Sequence, residues 1–345
     1  MTDSCTPVHV LTGFLGSGKT TLLRHLLSHP ALRDTAVVVN EFGEVGLDHM
    51  LVREVAEDVV LLGAGCVCCE MRDDLVGTLA RLYGLAEQGD IPRFGRFAVE
   101  TTGLADPGPI ASAILSDSRI SPTCRLGQII VTVDAVAGGR TLDQHPTALN
   151  QVAMADRIVL TKSDLVATDE ASALESRLRA VGAMAEILRS APGRYPAPDR
   201  LFAGASSSPS ALRRSPPASH DHGGIQTFAL AIEDRVDWYR FLEWLELLLY
   251  ARGDSLLRVK GYVAVEGEET PLVIQGVQHV VYPLEPLGAW PDRPGEGRLV
   301  FIARDLTQSA IRRSLQEVLG VAATPLNYRR AADALPDVRD QLPVS

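Results

Sequence analysis

The chain has 345 residues, 46% of them apolar, which is enough for about two domains with sizeable cores. Against 33 Lys and Arg stand 43 Asp and Glu, and the formal charge of −10 argues against a broad nucleic-acid surface. No apolar run approaches the roughly 20 residues that span a bilayer, and the first residues carry no basic segment followed by an apolar one, so neither a membrane nor secretion is expected and a cytoplasmic location is.

Residues 7–190 alternate short apolar runs with amphipathic segments. Strands are predicted at 8–11, 36–40, 59–62, 97–100, 128–133 and 157–161, and helices at 20–27, 71–87, 110–115 and 170–180. This alternation predicts an α/β domain over 1–204, with a mainly parallel sheet covered by helices on both faces. A stretch rich in Ser, Ala and Pro then runs into His220-Asp221-His222, and 205–224 reads as a linker. Whether those two histidines hold a metal is left open, because no third ligand is near. The second module, 225–327, reads as a strand at 227–232, a helix at 236–250, strands at 256–265, 272–274, 277–282 and 299–302, and a helix at 308–319 capped by Thr307. That order predicts a smaller α+β domain. Phe241, Leu242, Leu245, Leu248 and Leu249 recur at helical spacing, extended by Trp238, and predict a core-facing stripe. Residues 328–345 read as a tail.

Gly13-x4-Gly18-Lys19-Thr20 follows the first strand and opens the first helix, the context that turns a glycine-rich pattern into a phosphate cradle. Gly13, Gly16 and Gly18 let the backbone wrap closely around phosphates, with Ser17 and Thr21 in the same stretch. The helix start adds its positive end. Lys19 suits β- and γ-phosphate oxygens, and the Thr20 hydroxyl suits Mg²⁺. Glu100, at the carboxyl end of a predicted strand, is placed to serve the Mg²⁺ shell or orient water, and Gly103 to approach the γ-phosphate. Thr161-Lys162-Ser163-Asp164 is similar to the guanine-reading Asn-Lys-x-Asp with its Asn replaced. Asp164 accepts from guanine N1 and N2 hydrogens, which adenine lacks, while Lys162 lies along the base. GTP is therefore expected over ATP.

Five cysteines in a reducing compartment do not suggest a disulfide framework. Cys5 and Cys124 are isolated. Cys66, Cys68 and Cys69 sit together after a predicted strand, on a loop expected at the same sheet edge as the phosphate cradle. Three thiols so close repel when ionised unless a cation shares their charge, which suits Zn²⁺ or Co²⁺. Oxidation of the vicinal pair and plain packing are the rival readings. Glu41, after the second strand, offers an oxygen ligand. A P-loop kinase acting on a small acceptor and a redox-sensing nucleotide-binding module are the alternatives for the whole chain.

Gly13–Thr20, Asn40-Glu41-Phe42-Gly43-Glu44, Cys66-x-Cys68-Cys69, Glu100-x-x-Gly103 and Thr161-Lys162-x-Asp164 together resemble the CobW-type P-loop GTPases, a family of zinc and cobalt metallochaperones. Leu256-Leu257-Arg258-Val259-Lys260-Gly261 and Gln278-His279 resemble parts of that family's C-terminal domain, and the likeness covers about residues 7–320. The resemblance implies that GTP and Mg²⁺ order the switch loops, that metal loads on Cys66, Cys68 and Cys69, and that GTP hydrolysis to GDP releases it to a client metalloprotein. The chain departs from the pattern in three places. Thr161 replaces Asn, the segment 188–192 lacks an Asn-Pro pair, and two histidines stand where many relatives carry long histidine runs.

Overall fold

The computed structural model describes residues 5–39, 61–63, 71–182, 184–202, 221–222, 224–291 and 293–326. The first unit is built on β1 (Thr6–Thr12), β2 (Thr35–Val39), β3 (Leu61–Gly63), β4 (Arg96–Glu100), β5 (Cys124–Asp134), β6 (Arg157–Thr161) and β7 (Glu186–Arg189). Their order across the sheet is β3-β2-β4-β1-β5-β6-β7, and every pairing is parallel. The helices are α1 (Lys19–Leu27), α2 (Met71–Gln88), α3 (Pro107–Ser116), α4 (Gly138–Gln144), α5 (Pro146–Met154), α6 (Thr168–Val181) and α7 (Pro198–Phe202).

Alternation along the strands shows why these runs are apolar throughout. Ala36, Val38, Phe97 and Val99 pack into one core with α2, α3, α5 and α6, while Val37, Val39 and Ala98 face the other with α1 and α7. A strand covered on both faces has no polar face to keep. The predicted two-sided α/β sheet is therefore the observed one, with β7, α4, α5 and α7 added to the elements expected.

The second unit is an antiparallel sheet of β8 (Asp221–His222), β9 (Ile225–Ile232), β10 (Leu256–Val263), β11 (Leu272–Val277), β12 (Val280–Val281), β13 (Glu285–Pro286), β14 (Gly297–Arg304) and β15 (Ala323–Pro325). Its spine runs β12-β11-β10-β14-β9-β15. Helices α8 (Trp238–Arg252) and α9 (Gln308–Leu319) cover one face. Asp237 and Thr307 cap them, each accepting from a backbone N–H three residues on. The predicted stripe on α8 holds at Phe241, Leu245 and Leu249, with Trp244 added and Leu242 and Leu248 half-buried. The opposite face, with Ala229, Leu257, Val300 and Ile302, packs into the first unit's core. Asp221 and His222 fall in the predicted linker, yet they already pair with Gln226 and Ile225 of β9. Among the described residues no helix is long and apolar enough to cross a membrane.

Candidate functional site

β1 delivers the chain to the carboxyl edge of the sheet at Thr12. Gly13 then turns with φ 140, and a Cβ there would stand 2.4 Å from Thr132 O and Oγ1, so any side chain would collide with β5. Ser17 Oγ hydrogen-bonds Thr132 Oγ1 at 2.7 Å and locks the loop to the same strand. Gly18 caps α1 in the left-handed region, so the free N–H groups of the helix start open on the loop. Lys19 Nζ donates to Gly13 O at 2.9 Å and Phe14 O at 3.3 Å, which folds the ammonium onto the loop's own carbonyls.

A cleft of about 600 Å³ opens over this loop and brings together Gly16, Gly18, Lys19, Thr20, Thr21, Glu100, Gly103 and Lys162. Glu100 ends β4 beside β1, only 4% exposed, and its Oε1 accepts from Thr20 Oγ1 at 2.7 Å. A hydroxyl and a carboxylate so joined are two hard oxygen donors, the set that suits Mg²⁺. Thr101 Oγ1 donates to Thr12 Oγ1 at 2.8 Å, pinning the loop after β4. Thr102, also in the cleft, has a buried hydroxyl with no hydrogen-bond partner among the described residues. A Cβ on Gly103 would lie 2.7 Å from Leu15 N, so glycine is what allows this loop to touch the phosphate cradle.

The third predicted segment sits at the end of β6. Thr161 Oγ1 donates to Ser17 O at 2.7 Å and contacts Val133 O at 3.2 Å, so its hydroxyl braces the phosphate loop. Lys162, at φ 54, donates to Gly16 O at 3.0 Å and to Asp134 Oδ2 at 2.6 Å. Burial pushes the Asp134 carboxyl up, but the Lys162 hydrogen bond and the N–H groups of Val136 and Ala137 outweigh it and hold the pKa below the usual range. Asp164 is exposed and lines a second cavity of about 910 Å³, with Ser163, Pro192, Arg194 and Tyr195. Tyr195 stacks on His25 of α1 with centroids 3.8 Å apart, joining that wall to the phosphate helix.

Sequence reasoning missed Asp134 and Tyr195. Asp134 carries the signal that found Glu100, a carboxylate at the end of an apolar strand. Tyr195 follows β7, a strand the pattern did not show.

Cys66, Cys68, Cys69, Glu41 and His220 lie outside the described residues. Among the described residues, no group of three His, Cys, Asp or Glu side chains is arranged to hold a metal ion. The frame on which those segments hang is visible. β3 runs parallel to β2, with Gly63 opposite Val39, so both strands end at the edge where the phosphate loop sits. Val39 itself lines the nucleotide-sized cleft.

Residues 7–189 match the CobW/HypB/UreG nucleotide-binding domain, and residues 225–319 match the cobalamin synthesis protein cobW C-terminal domain. The zinc chaperone YjiA of Escherichia coli K12 is 34% identical over 309 residues, covering 88% of this chain and 96% of its own. The zinc chaperone CobW of Pseudomonas aeruginosa is 30% identical over 354 residues, covering 91% of each. The crystal structure of Zn(II)-bound YjiA GTPase from E. coli superposes with a TM-score of 0.69 at 29% identity, covering 91% of this chain and 99% of that one. With a nucleotide-binding unit and a C-terminal unit matched in order over most of its length, the chain belongs to the CobW family.

Proposed function

We propose that the chain is a GTP-hydrolysing metallochaperone that loads Zn²⁺ as its cargo, with Co²⁺ as a second candidate, and passes it to a client metalloprotein. The observation that carries the nucleotide half is the hydrogen bond between Thr20 and Glu100 beneath the phosphate loop. Lys19 would neutralise β- and γ-phosphate oxygens, moving there from the loop carbonyls it now contacts. Thr20 and Glu100 would hold Mg²⁺, which supplies charge neutralisation on the phosphates. Gly103 would approach the γ-phosphate, and Asp164 would select guanine at the second cavity. Thr161 would contribute by bracing the loop. The relatives named GTPase and zinc chaperone support this class of activity.

The metal half rests on the direction of β3. Two strand steps separate β3 from β4, the strand that ends in Glu100, and at about 4.8 Å per step that is about 10 Å. Three residues from Gly63 to Cys66 can span up to about 10 Å. Cys66, Cys68 and Cys69 would bind the ion as thiolates, so loading should release protons. Glu41, two residues beyond Val39, would add an oxygen ligand and feel the nucleotide.

Zinc titration of the full chain, with and without GTP and Mg²⁺, tests both halves. We expect one tight Zn²⁺ per chain whose affinity shifts with nucleotide, and its loss when Cys66, Cys68 and Cys69 are all replaced by Ser. Unchanged zinc stoichiometry in the triple Ser variant would refute the metal assignment.

A further inference from the structure

The loop between Glu100 and α3 is held from the outside by residues that the nucleotide reading leaves unused. α5 carries Asn150 and Gln151 side by side. Gln151 is 1% exposed, and its Nε2 donates to Ala105 O at 2.9 Å and to Gly103 O at 3.3 Å. One amide thus fixes two carbonyls of the loop that carries Thr102 and Gly103 into the cleft. Asn150 Nδ2 donates to Asp106 Oδ2 at 3.3 Å, while Asp106 Oδ1 accepts from Gly108 N at 2.9 Å and caps α3. Arg304, the last residue of β14, donates to Asn150 Oδ1 at 2.8 Å. Asn150 therefore stands between a cation of the second unit and a carboxylate of the first, donating to one and accepting from the other.

A second contact reaches the same place. Gln278 turns out of β11 with φ 49, and a Cβ on Gly108 would lie 2.4 Å from its Cδ. The C-terminal sheet therefore meets the first turn of α3 through Arg304 by relay and through Gln278 directly. Helix α3 and the loop before it cannot shift without disturbing both.

We propose that Gln151 and the Arg304–Asn150–Asp106 relay are positioning residues for GTP turnover. They hold loop 101–106 in the pose that tells GTP from GDP, and they tie that pose to the C-terminal sheet. The proposal rests on the reading that Gly103 faces the γ-phosphate. GDP lacks that group, so disturbing the loop should penalise GTP and spare GDP. Removing the Gln151 amide leaves two buried carbonyls unpaired, a loss that corresponds to about tenfold.

The test uses the full chain and measures kcat and KM for GTP, with dissociation constants for GDP and a non-hydrolysable GTP analogue. Gln151→Met should lower kcat and weaken the analogue by about tenfold, leaving GDP within about twofold. Arg304→Met should move both in the same direction by a smaller factor, and Arg304→Lys, which keeps a donor, should restore most of it. Should Gln151→Met fail to fold, the partly exposed Asn150→Ala and Arg304→Met read the same split. Equal weakening of GDP and analogue, or wild-type turnover in the folded variants, would overturn the proposal. Lys19→Ala separates the two readings. If it leaves both nucleotides bound as tightly as before, the phosphate site itself is misassigned; if it abolishes binding while Gln151→Met has no selective effect, only the positioning role fails.

Discussion

Thr161 and His9 show how much a single side chain's role depends on a partner far along the chain. At Thr161 the place in an Asn-Lys-x-Asp-like stretch points to the nucleotide base, and the hydroxyl also reaches Ser17 O, 144 positions away. No local pattern encodes that bond. The phosphate loop itself was legible because its constraints are local: three glycines, a lysine and a threonine within eight residues, between a strand and a helix. His9 carries a testable consequence. It is 4% exposed, and its Nδ1 accepts from Gln128 N at 3.0 Å. Burial first, and then the nearby Arg96 and Arg125, lower its pKa to about 3. Unfolded, it titrates near about 6.5. Between those values the unfolded chain binds the extra proton, so stability rises with pH. The contribution is complete above the unfolded value and drains away as pH falls toward the folded one. His9→Gln keeps an acceptor for Gln128 and removes the titration. Urea unfolding measured from neutral to acid pH should show a flatter acid limb in the variant, by on the order of 4 kcal/mol across the window. Parallel limbs in the two proteins would show that His9 is not buried neutral.

At the scale of elements, long periodic segments were readable and broken ones were not. The helix at 308–319 and the strand at 157–161 stand where the spacing put them. The pair α4 and α5 did not show in the pattern, because His145 and Pro146 divide a helical stretch into pieces of 7 and 9 residues. β7 is only 4 residues, with one buried position. Strand β10 misleads in a different way. Arg258 and Lys260, two apart, are of residue types that are mostly exposed, yet both are buried and face Asp156, the residue just before β6. Arg258 also donates to Met154 O. Burial pushes the Asp156 carboxyl up, but Arg258 and Lys260 outweigh it and hold the pKa below the usual range. Arg258→Met should therefore cost about 3 kcal/mol in a denaturant midpoint, since it strips a buried carboxylate of its main partner. Adding Asp156→Asn should recover part of that loss. If the double variant is no more stable than the single, the cost came from lost packing and not from the stranded charge.

For the whole molecule, the question is whether two sheets with different topologies act as one body. Ala229, Leu257, Val300 and Ile302 of the second sheet belong to the same buried cluster as Val8 and Val99 of the first sheet and Leu178 of α6. The Asp156 cluster and the Asn150 relay add polar links at separate points of that interface. A continuous core implies that neither unit unfolds while the other stays native. The chain supplies its own reporter for this, because its three tryptophans, Trp238, Trp244 and Trp290, all lie in the C-terminal unit, while the phosphate loop lies in the other. Ligand bound only to the native state stabilises whatever unfolds with its site, by about 2.7 kcal/mol at a hundredfold excess over Kd. GDP with Mg²⁺ should therefore raise the thermal midpoint seen by tryptophan fluorescence as much as the midpoint seen by far-UV circular dichroism. A tryptophan transition that stays in place while the dichroism midpoint rises would mean that the apolar contact between the sheets is too weak to couple them. In that case a signal from the triphosphate site would have to reach the C-terminal unit through the Arg304 and Gln278 contacts and the Asp156 cluster.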